Sequence, residues 1–159
     1  MNEINQLLRR LTEAKLDYVI VGGFGGIVHG SSMVTRDLDV CAVLTPSSVE
    51  QLRVAFRDIH PIHRHNPKRL SFLDNPDPNV AIRNLYLTTD LGPVDLISEI
   101  TGVGDFARVA SRAIEVELFG QRVRVIGIED LIVAKEALGR EKDLLAAKEL
   151  RAILEKRRR

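Results

Sequence analysis

The segment Tyr18–Val43 constrains the fold more than any other part of the chain. It reads YVIVGGFGGIVHGSSMVTRDLDVCAV: an apolar run, a glycine-rich turn, and two aspartates one residue apart inside a second apolar run. The first run, Tyr18–Val21, is typical of a fully buried strand. The second run predicts a strand over Val34–Val43. Because side chains alternate between the two faces of a strand, we expect Asp37 and Asp39 on one face.

The residue types in this segment indicate a site for a metal-bound polyphosphate. Neighbouring carboxylates on a shielded surface repel each other at a cost of several kcal/mol unless a cation lies between them. Mg²⁺ or Mn²⁺ fits this role because each keeps several waters and takes one or two carboxylates together with substrate phosphates. Gly22 and Gly23 lack a Cβ, so their backbone can approach an anion and present N–H groups to it.

Simpler interpretations of both features stay open at this point. The glycines fit an ordinary turn, and the D-L-D sequence fits a solvated strand end. A Walker A loop is excluded because no Lys-Ser or Lys-Thr follows the glycines, and their order is not that of a dinucleotide-binding fingerprint.

The combination of motifs nevertheless has a recognisable spacing. V-G-G at 21–23, H-G at 29–30 and T-x-D-L-D at 35–39 resemble the signature of the DNA polymerase β-like nucleotidyltransferase superfamily. The likeness is strongest to its small single-domain bacterial members, several of which look like toxins of toxin–antitoxin pairs. The I-E-D-L-x-x-x-K-x-x-x-G-R-x-K-D sequence at 128–143 resembles theirs too. The resemblance implies a mixed α/β (α+β) nucleotidyltransferase fold, in which helices flank a central mixed sheet. It also implies one domain over 1–159, with a core of about 1–126 and C-terminal helices over about 127–159.

The resemblance also implies an activity and a set of site residues. The activity is metal-dependent transfer of a nucleoside monophosphate from an NTP to an acceptor hydroxyl, with release of pyrophosphate. Its catalytic residues and ligands for Mg²⁺ (or Mn²⁺) would be Asp37, Asp39 and Asp95, and its nucleotide-binding residues would be Gly22, Gly23, Ser31, Ser32 and Lys135. The sequence around Asp95 agrees, because a turn precedes this residue and an apolar strand contains it. Asp95 also fits a strand-end aspartate satisfied by backbone amides, with Asp90 and Glu99 as reserve candidates.

The chain departs from the family pattern at two positions. Relatives often carry Gly-Ser where this chain has Gly22-Gly23, so Ser31 or Ser32 is expected to supply the missing hydroxyl. Small relatives place an arginine where this chain has Met33, and Arg36 is expected to point away from Asp37 by strand parity. Lys135, Arg140 and Lys142 fit either phosphate contacts or surface ion pairs with Glu136 and Asp143.

Composition bounds the location and partners of the chain. Its net charge is only +1, so no global field favours nucleic acid. Cys41 is the only cysteine, so an internal disulfide is excluded and a reducing compartment fits. We expect Cys41 to be a buried small hydrophobe. The N-terminal segment has no apolar core and no run approaches eighteen apolar residues, so we predict a cytoplasmic protein without membrane contact.

The remaining segments predict further elements and leave the acceptor unnamed. Apolar residues at helical spacing predict a first helix, Ser47 and Glu50 predict a capping box, and residues 60–78 predict an irregular loop. Arg64, Lys68 and Arg69 in this loop fit a phosphate or nucleic-acid contact or a solvated surface, and its histidines at 60, 63 and 65 fit a zinc site or a solvated loop. The acceptor could be an RNA such as tRNA, a protein hydroxyl or a small molecule, and an antitoxin protein is a further expected partner. Alternative functions are a catalytically weak nucleotide- or partner-binding module and a metal-dependent phosphohydrolase.

Overall fold

The computed structural model describes residues 2–74 and 82–159; the last part of the loop predicted over 60–78 lies outside the described residues. The helices are α1 (Asn2–Glu13), α2 (Gly22–Val28), α3 (Pro46–Phe56), α4 (Phe106–Ser111), α5 (Ile128–Leu138) and α6 (Glu141–Arg157). The strands are β1 (Tyr18–Val21), β2 (Leu38–Ala42), β3 (Ile62–His63), β4 (Leu85–Thr89), β5 (Gly92–Ile97), β6 (Glu99–Ile100), β7 (Gly104–Asp105), β8 (Ile114–Leu118) and β9 (Gln121–Val125).

Seven of these strands form one mixed sheet in the order β3-β4-β5-β2-β1-β9-β8. Strand β2 is antiparallel to β1 and parallel to β5, while β1 is parallel to β9. The central strands β1 and β2 are almost entirely buried, which explains their continuous apolar sequences. A mixed sheet flanked by helices, with two helices at the C-terminus, confirms the predicted fold class.

Helices pack on this sheet through apolar side chains at helical spacing. The predicted stripe of α1 is confirmed, since Ile4, Leu7, Leu8 and Leu11 are all buried. Helix α1 packs against α3 and β5, whereas α2 packs against β1, β2 and α5. The glycine-rich turn thus leads directly into a helix that lies over the two strands carrying the candidate site.

The predicted second strand is wrong at its start, because β2 begins at Leu38 and not at Val34. Val34 is 92% exposed and residues 31–37 have no regular structure. The Thr35 hydroxyl accepts the Asp37 N–H at 3.2 Å, a local side-chain bond that competes with strand pairing. The parity argument therefore holds for Asp39 but not for Asp37 or Arg36, which precede the strand.

Two other local predictions need correction, and one holds. Helix α3 is capped by a Thr45–Ser48 box, not by Ser47 and Glu50, because Thr45 is the N-cap residue and accepts the Ser48 N–H. The loop after α3 contains the short strand β3, which extends the sheet beyond β4. Cys41 is fully buried as predicted, and burial together with the charge of Asp105 raises the pKa of its thiol to about 11.

The buried His29, at the end of α2, contacts the last of the C-terminal helices. Gly139 ends α5 in the left-handed conformation, with φ of +68°, and α6 then runs back along α5. The last turn of α6 brings Arg157 to α2, where its guanidinium donates to the His29 carbonyl at 2.8 Å. Arg157 is exposed overall, but this bond links the end of α6 to the end of α2. No helix within residues 2–74 and 82–159 has the length and apolar character needed to cross a membrane.

Candidate active site

Asp39 and Asp95 lie side by side on neighbouring parallel strands. In the register of β2 and β5 the two residues are direct partners, and on the other side of β2 Asp39 is opposite Val21. Asp37 lies just before β2 and is exposed. Burial raises the pKa of Asp39 to about 6, and the nearby charges of Asp95 and Asp37 add to this rise. The fold therefore brings Asp95 beside Asp39 and leaves Asp37 near enough for its charge to act on Asp39.

Gly22 packs directly against the Asp39 carboxylate. Its φ of +65° is in the left-handed region, and a Cβ placed on it would collide with Oδ2 of Asp39 and lie 2.9 Å from its Cβ. Helix α2 begins at Gly22, and no side chain caps its first amides. Glycine at this position lets the turn and the carboxylate share one small volume.

A hydroxyl lies beside Gly23 that the sequence argument did not assign. A Cβ on Gly23 would be 3.4 Å from Oγ1 of Thr35, so Thr35 fills the space into which a serine at 23 would point. Because this oxygen accepts the Asp37 N–H, its own proton is available to a ligand. The motif T-x-D-L-D contained the signal, since a threonine two residues before an aspartate commonly forms such a turn.

Arg64 is the second residue that sequence reasoning left outside the site. It follows β3, and its guanidinium pairs with Oδ1 of Asp95 while also donating to the Leu87 carbonyl at 2.8 Å. In the sequence Arg64 belongs to a basic loop with Lys68 and Arg69, about thirty residues before Asp95. Only the pairing of β3, β4 and β5 brings this arginine to the carboxylates.

Lys135 and Arg140 face the same region from the C-terminal helices. A cavity of about 150 Å³ beside Gly22 and Asp39 is lined by both cations and by apolar side chains of α5. Lys135 lies 3.7 Å from Asp143, and Arg140 bonds the same carboxylate at 2.6 Å. Burial would raise the pKa of Asp143, but the Arg140 bond and both positive charges lower it overall. The ion pair with Asp143 and the field of Lys135 at Asp39 therefore coexist.

The predicted hydroxyls of Ser31 and Ser32 are engaged elsewhere. Ser31 donates to Oε1 of Glu149 at 2.6 Å, and Ser32 donates to Oε2 at 2.5 Å and through its backbone N–H to Oε1 at 3.0 Å. These bonds lower the pKa of Glu149 and so favour its charged form. A negative charge therefore lies where a phosphate would have to approach the serines. Sequence offered no signal for Glu149, which is more than a hundred residues away.

The histidines of the loop before β4 go to three separate partners. His60 bonds the exposed Asp90 at 2.6 Å, His63 packs edge-on against Phe72, and His65 packs edge-on against Tyr86. Asp90, a reserve candidate for the site, is thus bonded to His60, and Glu99, the other, is exposed in β6. Among the described residues neither reserve carboxylate replaces Asp95 beside Asp39.

Structural comparison identifies the fold, whereas sequence comparison does not. No family model matches the chain, and no curated protein is significantly similar to it in sequence. The lincosamide antibiotic adenylyltransferase LnuA, in its lincomycin-bound crystal structure, superposes with a TM-score of 0.63 at 15% identity, covering 96% of each chain. A Thermotoga maritima protein, TM1012, described as a candidate nucleotidyltransferase, superposes with a TM-score of 0.55 at 16% identity, covering 98% of this chain and 94% of that one.

This chain has the nucleotidyltransferase fold. The superpositions extend over nearly its whole length, so the helices after β9 belong to the shared architecture as well.

The carboxylates at this position carry oxygen donors of the kind that a divalent metal ion prefers. Asp37 and Asp39 offer hard oxygen donors close to the start of α2. Burial raises the pKa of Asp39 to about 6 although Lys135 and Arg64 act against this rise, so a divalent cation beside Asp39 would favour its charged form. These residues fit a magnesium ion. Within the described residues, however, no three such side chains converge into a complete metal site. Asp95 is the carboxylate bonded to a cation of the protein itself, Arg64.

Proposed function

We propose that the protein is a metal-dependent nucleotidyltransferase that moves a nucleoside monophosphate from an NTP to an acceptor hydroxyl. The observation that carries this proposal is the register of β2 and β5. It places Asp95 beside Asp39, the residue that packs against Gly22. A turn that receives phosphates and carboxylates that receive a metal ion are the two parts this chemistry requires. The shared fold supports the proposal, since one superposed protein is named an adenylyltransferase.

Each part of the site has a role in this proposal. Asp37 and Asp39 hold Mg²⁺ (or Mn²⁺), which would neutralise charge on the triphosphate and position it. The amides of Gly22 and Gly23 and the hydroxyl of Thr35 bind phosphate oxygens, so Thr35 takes the role predicted for Ser31 and Ser32. Lys135 faces Asp39 from α5 and adds positive charge on the nucleotide side.

The reaction then needs little further chemistry from the protein. The acceptor oxygen forms a bond to the α-phosphorus while the bond to the bridging oxygen of the β-phosphate breaks, and pyrophosphate leaves. Asp95 accepts the proton of the acceptor hydroxyl, because it is the carboxylate next to Asp39 but outside the glycine turn. Positioning and charge neutralisation supply most of the rate enhancement in such reactions.

Labelling with radioactive nucleotides tests the proposed transfer. The wild-type chain is incubated with each α-³²P-labelled NTP and Mg²⁺ in an extract that contains RNA, protein and small molecules, and the labelled product is identified. We expect label with the wild type, none with Asp37→Ala/Asp39→Ala, and wild-type labelling with the distant control Asp17→Ala. Release of labelled monophosphate in place of a labelled acceptor would identify a phosphohydrolase.

The second candidate function is a binding module with weak or no transferase activity. The ion pair between Arg64 and Asp95 favours it, because the guanidinium occupies Oδ1, one of the two oxygens with which Asp95 could bind an acceptor hydroxyl. Calorimetry separates the two functions: Mg²⁺-dependent nucleotide binding without label from any NTP would contradict transfer and support the module.

The resemblance to small bacterial members of the superfamily extends the proposal to the toxin of a toxin–antitoxin pair. The test is to express the chain in the cytoplasm of a bacterial host and to measure growth of the culture. We expect the wild-type chain to arrest growth, Asp39→Ala to leave growth unchanged, and an antitoxin, if co-expressed, to restore it.

A further inference from the structure

Arg64 is fixed by the main chain of the neighbouring strand before it reaches any carboxylate. Its backbone N–H donates to the Tyr86 carbonyl at 2.8 Å, and Nη1 of its side chain donates to the Leu87 carbonyl at 2.8 Å. These two bonds leave Nη2, which pairs with Oδ1 of Asp95. The planar fork of arginine thus joins a strand backbone to a carboxylate in one geometry, which a lysine could not do.

The pair occupies a sheltered position in the sheet. The side chains of Arg64 and Asp95 are 28% and 25% exposed, and Tyr86 lies opposite Asp95 on the adjoining strand. Charges in such partly shielded surroundings interact more strongly than fully solvated ones. Displacing the guanidinium would leave Asp95 facing Asp39 without a cation.

Charge balance in the site then calls for a single divalent ion. Asp37, Asp39 and Asp95 contribute three negative charges and Arg64 contributes one positive charge. One divalent cation at Asp37 and Asp39 completes the balance, whereas two would leave a net excess of positive charge before any nucleotide is bound. Lys135 and Arg140 share Asp143 as their counter-charge, so together they add one further positive charge at the edge of the site and do not call for a second divalent ion.

We infer that Arg64 takes the place of a second divalent cation, so that the site binds one metal ion and Asp95 is held by a guanidinium instead of ligating metal. This inference differs from the sequence prediction, which made Asp95 a metal ligand, and it rests on the proposed function. Absence of a three-donor metal cluster among the described residues is an independent observation in the same direction.

Counting bound metal ions tests this inference without turnover. Mn²⁺ is titrated into the full chain with a stoichiometric NTP analogue whose α,β-bridge is a methylene group, and electron paramagnetic resonance measures the unbound Mn²⁺. We expect one Mn²⁺ per wild-type chain and two per Arg64→Gln chain. Arg122→Gln, which removes an exposed arginine paired with Glu115, is the matched control and should bind one.

Asp95→Asn provides a second arm that does not depend on the folding of the arginine variant. We expect it still to bind one Mn²⁺, with an affinity that falls because one negative charge beside Asp39 is lost, and we expect Arg64→Gln/Asp95→Asn to return from two ions to one. Circular dichroism checks that each variant is folded.

Each outcome bears on the inference in a defined way. Two Mn²⁺ ions per wild-type chain, one per folded Arg64→Gln chain, or loss of Mn²⁺ from Asp95→Asn would overturn it. Two ions in the wild type would leave the proposed function intact, whereas Mn²⁺ binding by the wild-type chain with the analogue that does not exceed binding by the analogue alone would contradict both. The labelling experiment scores transfer separately, so the two failures are distinguishable.

Discussion

At the scale of single residues, the site depends on a glycine and a carboxylate that occupy adjoining space. Gly22 has a left-handed backbone and no room for a Cβ, because Asp39 lies against it. The same contact shields Asp39 from water and contributes to its raised pKa. Position 22 therefore affects both the stability of the turn and the charge of the site.

Gly22→Ala is expected to lower the free energy of unfolding by about 2 to 4 kcal/mol, since it adds a steric clash to a strained backbone. Gly120→Ala is the matched control: its φ is +79° with nothing within 4 Å of a Cβ, so it should lose only about 1 kcal/mol. Urea denaturation measures both. Equal losses would show that the contact with Asp39 is not restrictive.

Thr35→Val is expected to raise the KM for the NTP roughly ten- to a hundredfold, because a hydrogen bond to a charged phosphate oxygen contributes about 1.5 to 3 kcal/mol. Thr35→Ser keeps the hydroxyl and should stay near the wild-type value. Steady-state kinetics with the NTP identified by labelling measures the effect. A KM that is the same for valine and serine would remove Thr35 from the phosphate site.

Asp39 makes the metal-free protein sensitive to pH. The pKa of this acid rises from 3.8 to about 6 on folding, so its contribution to stability is complete below pH 3.8 and is lost as the pH rises through 6. Asp39→Asn is therefore expected to be about 1 to 3 kcal/mol more stable than the wild type at pH 8 in EDTA, and equal to it near pH 4. Denaturation curves at the two pH values check this, and a constant difference between the two proteins would contradict it.

At the scale of elements, the loop before β2 is held by α6 and not by the sheet. Ser31 and Ser32 place three hydrogen bonds on Glu149, and Arg157 near the end of the same helix bonds the end of α2. The C-terminal helix thus sets the path of the chain between the glycine turn and Asp37.

Glu149→Ala is expected to speed amide hydrogen exchange at Ser32 and Met33, because the Ser32 N–H and the hydroxyl that accepts the Met33 N–H both lose their anchor. Glu141→Ala, an exposed glutamate at the start of α6, should leave these amides unchanged. Exchange measured by mass spectrometry or NMR distinguishes the two variants. Unchanged protection in Glu149→Ala would mean that the loop is ordered by other contacts.

At the scale of the whole molecule, His29 connects the first half of the chain to both ends of the C-terminal part. Its Nε2 bonds the Ile126 carbonyl at 2.7 Å, and Nδ1 lies 3.3 Å from the Arg157 guanidinium. This arrangement is satisfied by a neutral ring that donates from Nε2 and accepts at Nδ1. Burial lowers the pKa of His29, and the charge of Arg157 lowers it further against the opposing effect of the Ile126 bond.

Stability contributed by His29 is therefore complete above its ordinary pKa of 6.5 and is lost as the pH falls through the lower folded-state value. His29→Gln keeps a donor but cannot be protonated, so the wild type should lose stability relative to it between pH 7 and pH 5. His60→Gln is the control, since Asp90 raises the pKa of His60 and reverses the direction. Urea denaturation across this range measures the trend, and parallel curves for wild type and His29→Gln would contradict it.

Local patterning determined most of the elements and the first half of the site. The apolar run before Gly22 and the stripe of α1 were predictable because the backbone period acts over a few residues. The same holds for the glycine turn and for the D-L-D carboxylates, whose chemistry follows from residue type and spacing.

Tertiary structure alone decided which partners these groups meet. Arg64 reaches Asp95, Glu149 takes the serines, and Arg157 docks on His29, each through contacts between segments far apart in sequence. Side-chain bonds in the loop before β2 also overrode the strand pattern that its sequence favours. Such contacts depend on strand order, register and helix packing, which arise from burying the whole core at once and leave no trace in the local pattern.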